Sequence, residues 1–203
     1  MIKVLSVFGL IALSPMASAV VIDSIDMTVR TSTYVVDGED NAAGLISEFY
    51  NNGAAVCSTA IGAIQNVGSV QTCGGPNRNI ATLFELDLFQ GGSTMWQFGG
   101  DWGRGGALFL TNGGLGERLI TEDIWWNYDW SNDDVIEFTV FNSGSYTLNL
   151  LGFEGCCGGG MSLRYSTDGG DTWTIAATAV PAPGALALLG FGLIGLGLAR
   201  RRA

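Results

Sequence analysis

Ile136-Glu-Phe-Thr-Val140, Phe141-Asn-Ser-Gly144 and Ser145-Tyr-Thr-Leu-Asn-Leu150 form the stretch that decides the fold class. Ile136, Phe138 and Val140 alternate with Glu137 and Thr139; Tyr146, Leu148 and Leu150 alternate with Thr147 and Asn149. A period of two puts every second side chain on one face of an extended chain, so each run predicts a strand with one dry and one wet face. Asn142-Ser-Gly144 between them predicts a hairpin turn.

The same alternation recurs on either side. Phe84, Leu86 and Leu88 oppose Glu85 and Asp87, and Met161, Leu163 and Tyr165 oppose Ser162 and Arg164. Val20 to Val36 reads as one or two further strands. Gly44 to Tyr50 fits either a strand or a helical turn. Gly53 to Pro76, made of small residues and holding Cys57 and Cys73, reads as a long loop pinned by a disulfide. Many short strands broken by Gly, Asn, Asp and Ser, with no alternation of strand and helix, predict an all-β, antiparallel β-sandwich. A jelly-roll-like arrangement is the first expectation and a partly closed barrel the second.

Both ends of the chain differ from this body. Met1 to Ala19 carries Lys3, an apolar stretch from Val4 to Leu13, and Ala17-Ser-Ala19, the small-x-small pattern after which signal peptidase cuts, leaving Val20 first. At the other end, Val180-Pro-Ala-Pro-Gly184 leads into an apolar run to Ala199 and then Arg200, Arg201 and Arg202. Gly184 to Ala199 makes about 24 Å of helix at 1.5 Å per residue, short for a hydrocarbon core of about 30 Å. The terminal arginines would hold that end in the cytoplasm. The expected organisation is a signal peptide with a signal helix (1–19), an extracytoplasmic β-sandwich (20–179), and a sorting and anchor segment with a transmembrane helix (180–203).

Trimmed to 20–179, the chain holds five arginines, no lysine and nineteen acids, a net charge of −14. That excludes nucleic-acid binding through phosphates, and anionic lipid headgroups repel the body. The absence of histidine excludes Ser-His-Asp triads and argues against zinc. No cofactor is expected. Ca2+ alone suits the acidic turns Asp37-Gly-Glu-Asp-Asn41 and Asp133-Asp134, which otherwise read as solvated turns. Four cysteines in an exported chain predict disulfides. Three connectivities are open: Cys57–Cys73 with Cys156–Cys157, or either crossed pairing.

The tail, on Val180, Pro181, Pro183, its Gly-rich apolar run and Arg200 to Arg202, resembles the PEP-CTERM sorting signal of Gram-negative bacteria. Ala182 stands where that family usually has Glu. The resemblance implies an exosortase-like membrane enzyme as partner, transient anchoring in the inner membrane, and release or attachment at the cell surface alongside exopolysaccharide. Ser166-Thr-Asp-Gly-Gly-Asp-Thr-Trp173 resembles an Asp-box at Ser166, Asp168, Gly170, Thr172 and Trp173. In sialidases that box is structural, which implies a rigid hairpin here with Trp173 packed beneath it. Glu85-Leu-Asp-Leu-Phe-Gln90 resembles the catalytic strand of a jelly-roll glycoside hydrolase family that includes laminarinases. There a Glu at the last position is the acid/base; Gln90 cannot act as one, and retaining hydrolysis needs two carboxyl groups about 5–5.5 Å apart.

Asp123-Ile-Trp-Trp-Asn-Tyr-Asp-Trp130 concentrates aromatic rings and carboxylates. Rings stack on the C–H faces of sugars and carboxylates accept from hydroxyls. Trp125, Trp126, Tyr128 and Trp130 are therefore the carbohydrate candidates, joined by Trp96, Phe98 and Trp102. Filling the core is the other use for such rings. The sequence thus predicts an exported surface or matrix protein with a structural or adhesive role and no enzymatic activity. A carbohydrate-binding module is the alternative, and a glycosidase centred on Glu85 a remote one.

Overall fold

Strand Arg78–Gln90 shows how the layers arise. Its even positions from Ile80 to Gln90 are buried toward one face; on the other face Ala81 and Leu83 are also buried, Glu85 is half-buried, and Asp87 and Phe89 are exposed. A strand this apolar needs cover on both sides at one end, and it has it.

The computed structural model describes residues 19–111 and 116–179. Ala17 of the cleavage pattern and the sorting residues Val180, Pro181, Ala182, Pro183, Gly184, Arg200, Arg201 and Arg202 lie outside the described residues, as do the two terminal helices expected from the sequence. Among the described residues no helix is long and apolar enough to cross a membrane.

In chain order the elements are β1 (Val20–Thr31), α1 (Ala42–Asn51), β2 (Ala55–Ala60), α2 (Ser69–Cys73), β3 (Arg78–Gln90), β4 (Thr94–Gly99) and β5 (Asp101–Trp102). They continue with β6 (Gly106–Thr111), β7 (Arg118–Ile120), β8 (Ile124–Trp125), β9 (Ile136–Val140), β10 (Gly144–Cys156), β11 (Ser162–Ser166) and β12 (Thr174–Ile175). One sheet runs β2-β1-β3-β10-β6-β7, a second β12-β11-β4-β9, and β5 pairs with β8 alone. Every ladder is antiparallel. The fold is all-β. Its two large sheets hold six and four strands.

The main core lies between the two large sheets. Ile25, Met27, Phe84, Leu86, Leu148 and Leu150 meet Trp96, Phe98, Phe138 and Leu163 there. Trp102 joins them through a slot: Gly106 and Gly152 are partners across the β6–β10 ladder, and a Cβ on either would strike the indole. A second core sits on the outer face of the six-stranded sheet, where Ala42, Leu45 and Phe49 of α1 cover Ala81, Leu83, Phe109, Leu151 and Phe153. The stretch left open between strand and turn is thus a helix. Leu45 and Phe49 stand four apart on one face, and the Asn41 side chain caps the first turn by accepting from Gly44 N–H at 2.9 Å.

Two further expectations are corrected. Asn142-Ser-Gly144 is not a hairpin turn: β9 pairs with β4 in one sheet, while β10 pairs with β3 and β6 in the other. It is a corner crossing between layers. Gln90, wholly buried, holds that corner, its side-chain amide donating to the carbonyls of Gly92, Val140 and Asn142 at 3.0, 3.1 and 2.8 Å. The supposed loop Gly53 to Pro76 contains an edge strand and a short helix, β2 and α2. The Cys57–Cys73 disulfide joins them with Cα atoms 5.7 Å apart, well within the usual span. Cys156 and Cys157 form the second disulfide.

Candidate functional site

The site is built on the two-residue ladder of β5 and β8. Trp102 and Ile124 are one Cα pair and both are buried, so the other pair, Asp101 and Trp125, faces outward. Trp126 N–H extends the ladder to Gly100 O at 2.9 Å. The Trp126 indole, 5% exposed, turns inward over Gly99, where a Cβ would collide with it, and donates through Nε1 to Asp129 O at 3.1 Å.

The turn after β8 is tied by its own polar side chains, as Asn and Asp in turns commonly are. Asn127 Oδ1 accepts from Asp129 N–H, Asp129 Oδ1 from Ser131 N–H and Asn132 Oδ1 from Asp134 N–H. Asp134 Oδ2 accepts from Trp125 N–H at 2.9 Å. On this frame Trp125 is 61% and Tyr128 59% exposed. Tyr128 has φ +68°, a left-handed conformation that is costly for a bulky side chain. Its ring lies 5.1 Å from that of Trp126.

Loop 156–160 runs against Asp101 and the Tyr128 ring. Gly159 N–H donates to Asp101 Oδ2 at 2.6 Å. A Cβ on Gly159 would strike that carboxylate, and one on Gly160 would strike the Asn66 side chain and press on the Tyr128 ring at 3.2 Å. The glycines therefore let Asp101, Asn66 and Tyr128 close around the loop. Burial, then the nearby Glu154 carboxylate, and lastly Asp123, push the Asp101 carboxyl up to about 6 against the opposing Gly159 hydrogen bond. Glu154 itself is 6% exposed and accepts from Gly103 N–H at 2.9 Å and Cys156 N–H at 2.7 Å.

The structure separates the aromatic candidates. Trp125 and Tyr128 face solvent; Trp126 is packed inward; Trp96, Phe98 and Trp102 are core residues with no part in the surface. Trp130 is half-buried, with the Arg164 guanidinium 4.1 Å from its ring centroid. The same guanidinium lies 4.6 Å from the Trp173 ring and donates to Gln97 Oε1 from Nε and Nη2 at 2.8 and 2.6 Å. Trp173 is half-buried, against Arg164 and beside Gly170 of the turn.

Within the Asp-box, Ser166 Oγ donates to Asp168 Oδ1 at 2.6 Å and accepts from Gly170 N–H at 2.8 Å. Thr172 donates to Asp168 from N–H and hydroxyl at 2.9 and 2.5 Å. Those side-chain bonds from Ser166 and Thr172 hold the Asp168 carboxyl down at about 2. They close the β11–β12 turn and engage both oxygens of Asp168.

Glu85 and Gln90 do not share a face. Glu85 lies outward, opposite Asp26 across the ladder and near Tyr50 of α1; Gln90 lies in the core. Burial first, then Asp26 and Asp87, raises the Glu85 carboxyl. The acidic turns are also occupied by their own backbone. Asp37 Oδ1 accepts from Glu39 N–H, and Asp40 accepts from Asp37 N–H and the Tyr34 hydroxyl. That last bond pushes the Tyr34 hydroxyl up to about 12. Among the described residues no group of three or more Cys, Asp or Glu side chains is placed to hold a metal ion.

Asp101, Asn66, Gly159 and Gly160 are site residues that sequence reasoning did not find. Asp101 and Gly159 stand 58 positions apart, and no local pattern joins them.

No protein-family profile matches the chain, and no curated protein matches it in sequence. Among solved structures it is similar to a PA14 sugar-binding domain from an RTX adhesin at 13% identity, covering 78% of this chain and 99% of that one, with a TM-score of 0.46. It is also similar to the PA14 domain of the MpAFP antifreeze protein at 10% identity, covering 84% and 97%, again at 0.46. The A domain of Epithelial Adhesin 9 from Candida glabrata, solved with Galβ1-4GlcNAc, gives 10% identity, 84% and 94% coverage and 0.46. Likeness at this level decides nothing about function.

Proposed function

We propose that this chain is an exported, non-enzymatic, adhesive module that binds carbohydrate, with Trp125 and Tyr128 as its stacking platform. The observation that carries the reading is the exposure of both rings on a frame that holds them outward. Exposing a large ring forgoes about 1.5–3 kcal/mol of burial, and Tyr128 carries backbone strain as well. The core has already taken four of the neighbouring aromatics: Trp96, Phe98, Trp102 and Trp126. Asp101 beside Trp125 and Asn66 beside Tyr128 supply hydrogen-bonding groups at the rim of the platform.

On this reading the terminal segments deliver the domain. Signal peptidase removes 1–19, and an exosortase-like enzyme acts on the 180–203 segment after transient anchoring, leaving the body at the surface or in an exopolysaccharide matrix of a Gram-negative cell. The direct test is a glycan array probed with the purified protein and with Trp125→Ala. We expect at least one glycan class to bind and the substitution to remove that binding with little loss of stability. Binding that Trp125→Ala leaves intact would place the ligand elsewhere. No binding on a broad array would leave the structural reading of the body.

A further inference from the structure

We propose that the Trp125–Tyr128 platform takes a glycan carrying free amino groups, an oligomer of unacetylated hexosamine, in preference to a neutral or uronic-acid glycan. This deepens the carbohydrate reading above and rests on it.

The charge around Asp101, at the Trp125 end of the platform, is negative. Asp101 stands across the ladder from Trp125, Asp123 precedes β8, and Glu154 lies close enough to Asp101 to act on its ionisation. Asp129, Asp133 and Asp134 follow in the turn. The body has neither lysine nor histidine. Arg164 stays charged but is held on the far side of the turn, over Trp130 and Trp173 and donating to Gln97, and it is not among the charges that act on Asp101. Arg104 donates to Ser32 O and Asn79 Oδ1, Arg30 to Gly53 O, and Arg118 to Glu137 O. Arg78, partnered by register with Cys156, is exposed at the start of β3. The charges that act on Asp101 are Glu154 and Asp123, both negative.

An ammonium on the ligand answers both features at once. It offsets the negative charge of Asp101, Asp123 and Glu154 and favours the charged form of Asp101, and it lies well against an indole or phenol face, whose quadrupole attracts cations. The C–H surface of the same sugar ring covers the rest of the aromatic face. A uronate would add a charge of the wrong sign at a site already crowded with carboxylates. A neutral sugar would stack but leave that negative charge in place.

The test titrates the purified protein, in EDTA at a pH near 6, with short β-linked glucosamine oligomers, their N-acetylated counterparts and an oligouronate. We expect the amine form to bind at least about tenfold more tightly than the acetylated form, about 1.4 kcal/mol, and the uronate to bind weakest. Asp101→Asn combined with Asp123→Asn should shrink the amine preference to within about threefold, while Trp125→Ala abolishes binding of every form. Equal or tighter binding of the acetylated oligomer or the uronate, still lost in Trp125→Ala, would overturn the amine preference and leave the platform standing. Amine binding that survives Trp125→Ala would be general attraction to an acidic surface and would also overturn it. No binding by any of the three overturns the preference, and the glycan array then decides the platform.

Discussion

Asp101→Asn should stabilise the protein at neutral pH and do little in acid. The folded carboxyl sits at about 6 against an ordinary 3.8, so the folded state holds its proton more tightly than the unfolded chain does. The contribution is therefore fully present below 3.8 and is lost as pH rises through about 6; above that, the ionised Asp101 is a net cost. Two pH units correspond to about 3 kcal/mol at 1.36 kcal/mol per unit. The side chain is only partly removed from water, and screening reduces the figure to about 1–2 kcal/mol. Asparagine preserves an oxygen to accept from Gly159 N–H, so the loop contact survives. Thermal melts or urea titrations of both proteins from about pH 4 to pH 8 measure the difference. In a domain of this size each kcal/mol moves Tm by about 2–4 °C. We expect the variant to melt higher at pH 7.5, with the gap closing between pH 6 and pH 4. A gap that stays constant with pH would mean the effect comes from packing and not from the charge. No gap at pH 7.5 would mean that neither burial nor the neighbouring Glu154 and Asp123 raises the Asp101 carboxyl.

Gln90→Glu should destabilise the fold by about 2–5 kcal/mol, because a carboxylate would face three carbonyl oxygens in the core with no N–H to give them. Denaturant titration measures it. The variant should show no β-glucan hydrolysis, because residues 85 and 90 project to opposite faces; a stable, hydrolytic variant would restore the glycosidase reading. The intact mass of the protein secreted by a host that has the sorting enzyme should begin at Val20, end near Pro181-Ala-Pro183, and drop by four hydrogens relative to the reduced chain. A mass running through Ala203 would remove the processing proposal.

The alternating runs were legible because a period of two reports which face a side chain takes. They could not report partners. Ile136–Val140 and Tyr146–Leu150 are each strands with the expected faces, yet belong to different sheets. The corner where they part is tied by one amide, Gln90, about fifty residues earlier in the chain. Gly53–Pro76 failed for a different reason. Ala55-Val-Cys-Ser-Thr-Ala60 lacks the apolar alternation because β2 is a sheet edge with little to bury. Gly44–Tyr50 was ambiguous because its strongest helical signal, Asn41, stands before the window, and because Leu45 and Phe49 bury against a sheet face that the segment cannot foresee.

Composition located the aromatic cluster, but backbone parity divided it. Trp125 and Trp126 are adjacent in sequence, and in an extended chain neighbours point opposite ways. One therefore had to enter the protein. Trp102 and Ile124, buried as partners on the same ladder, fix the parity: with them inward, Trp125 and Asp101 must face out. Trp126 then turns over Gly99, where the missing side chain leaves room for an indole. The sequence cue for the division was a glycine 27 positions away, read only once β4, β5 and β8 are assembled. The same assembly sets an outward carboxylate beside an outward indole, the pairing on which the proposed ligand charge rests, with Asp101 too far from Trp125 in sequence to be read as its neighbour.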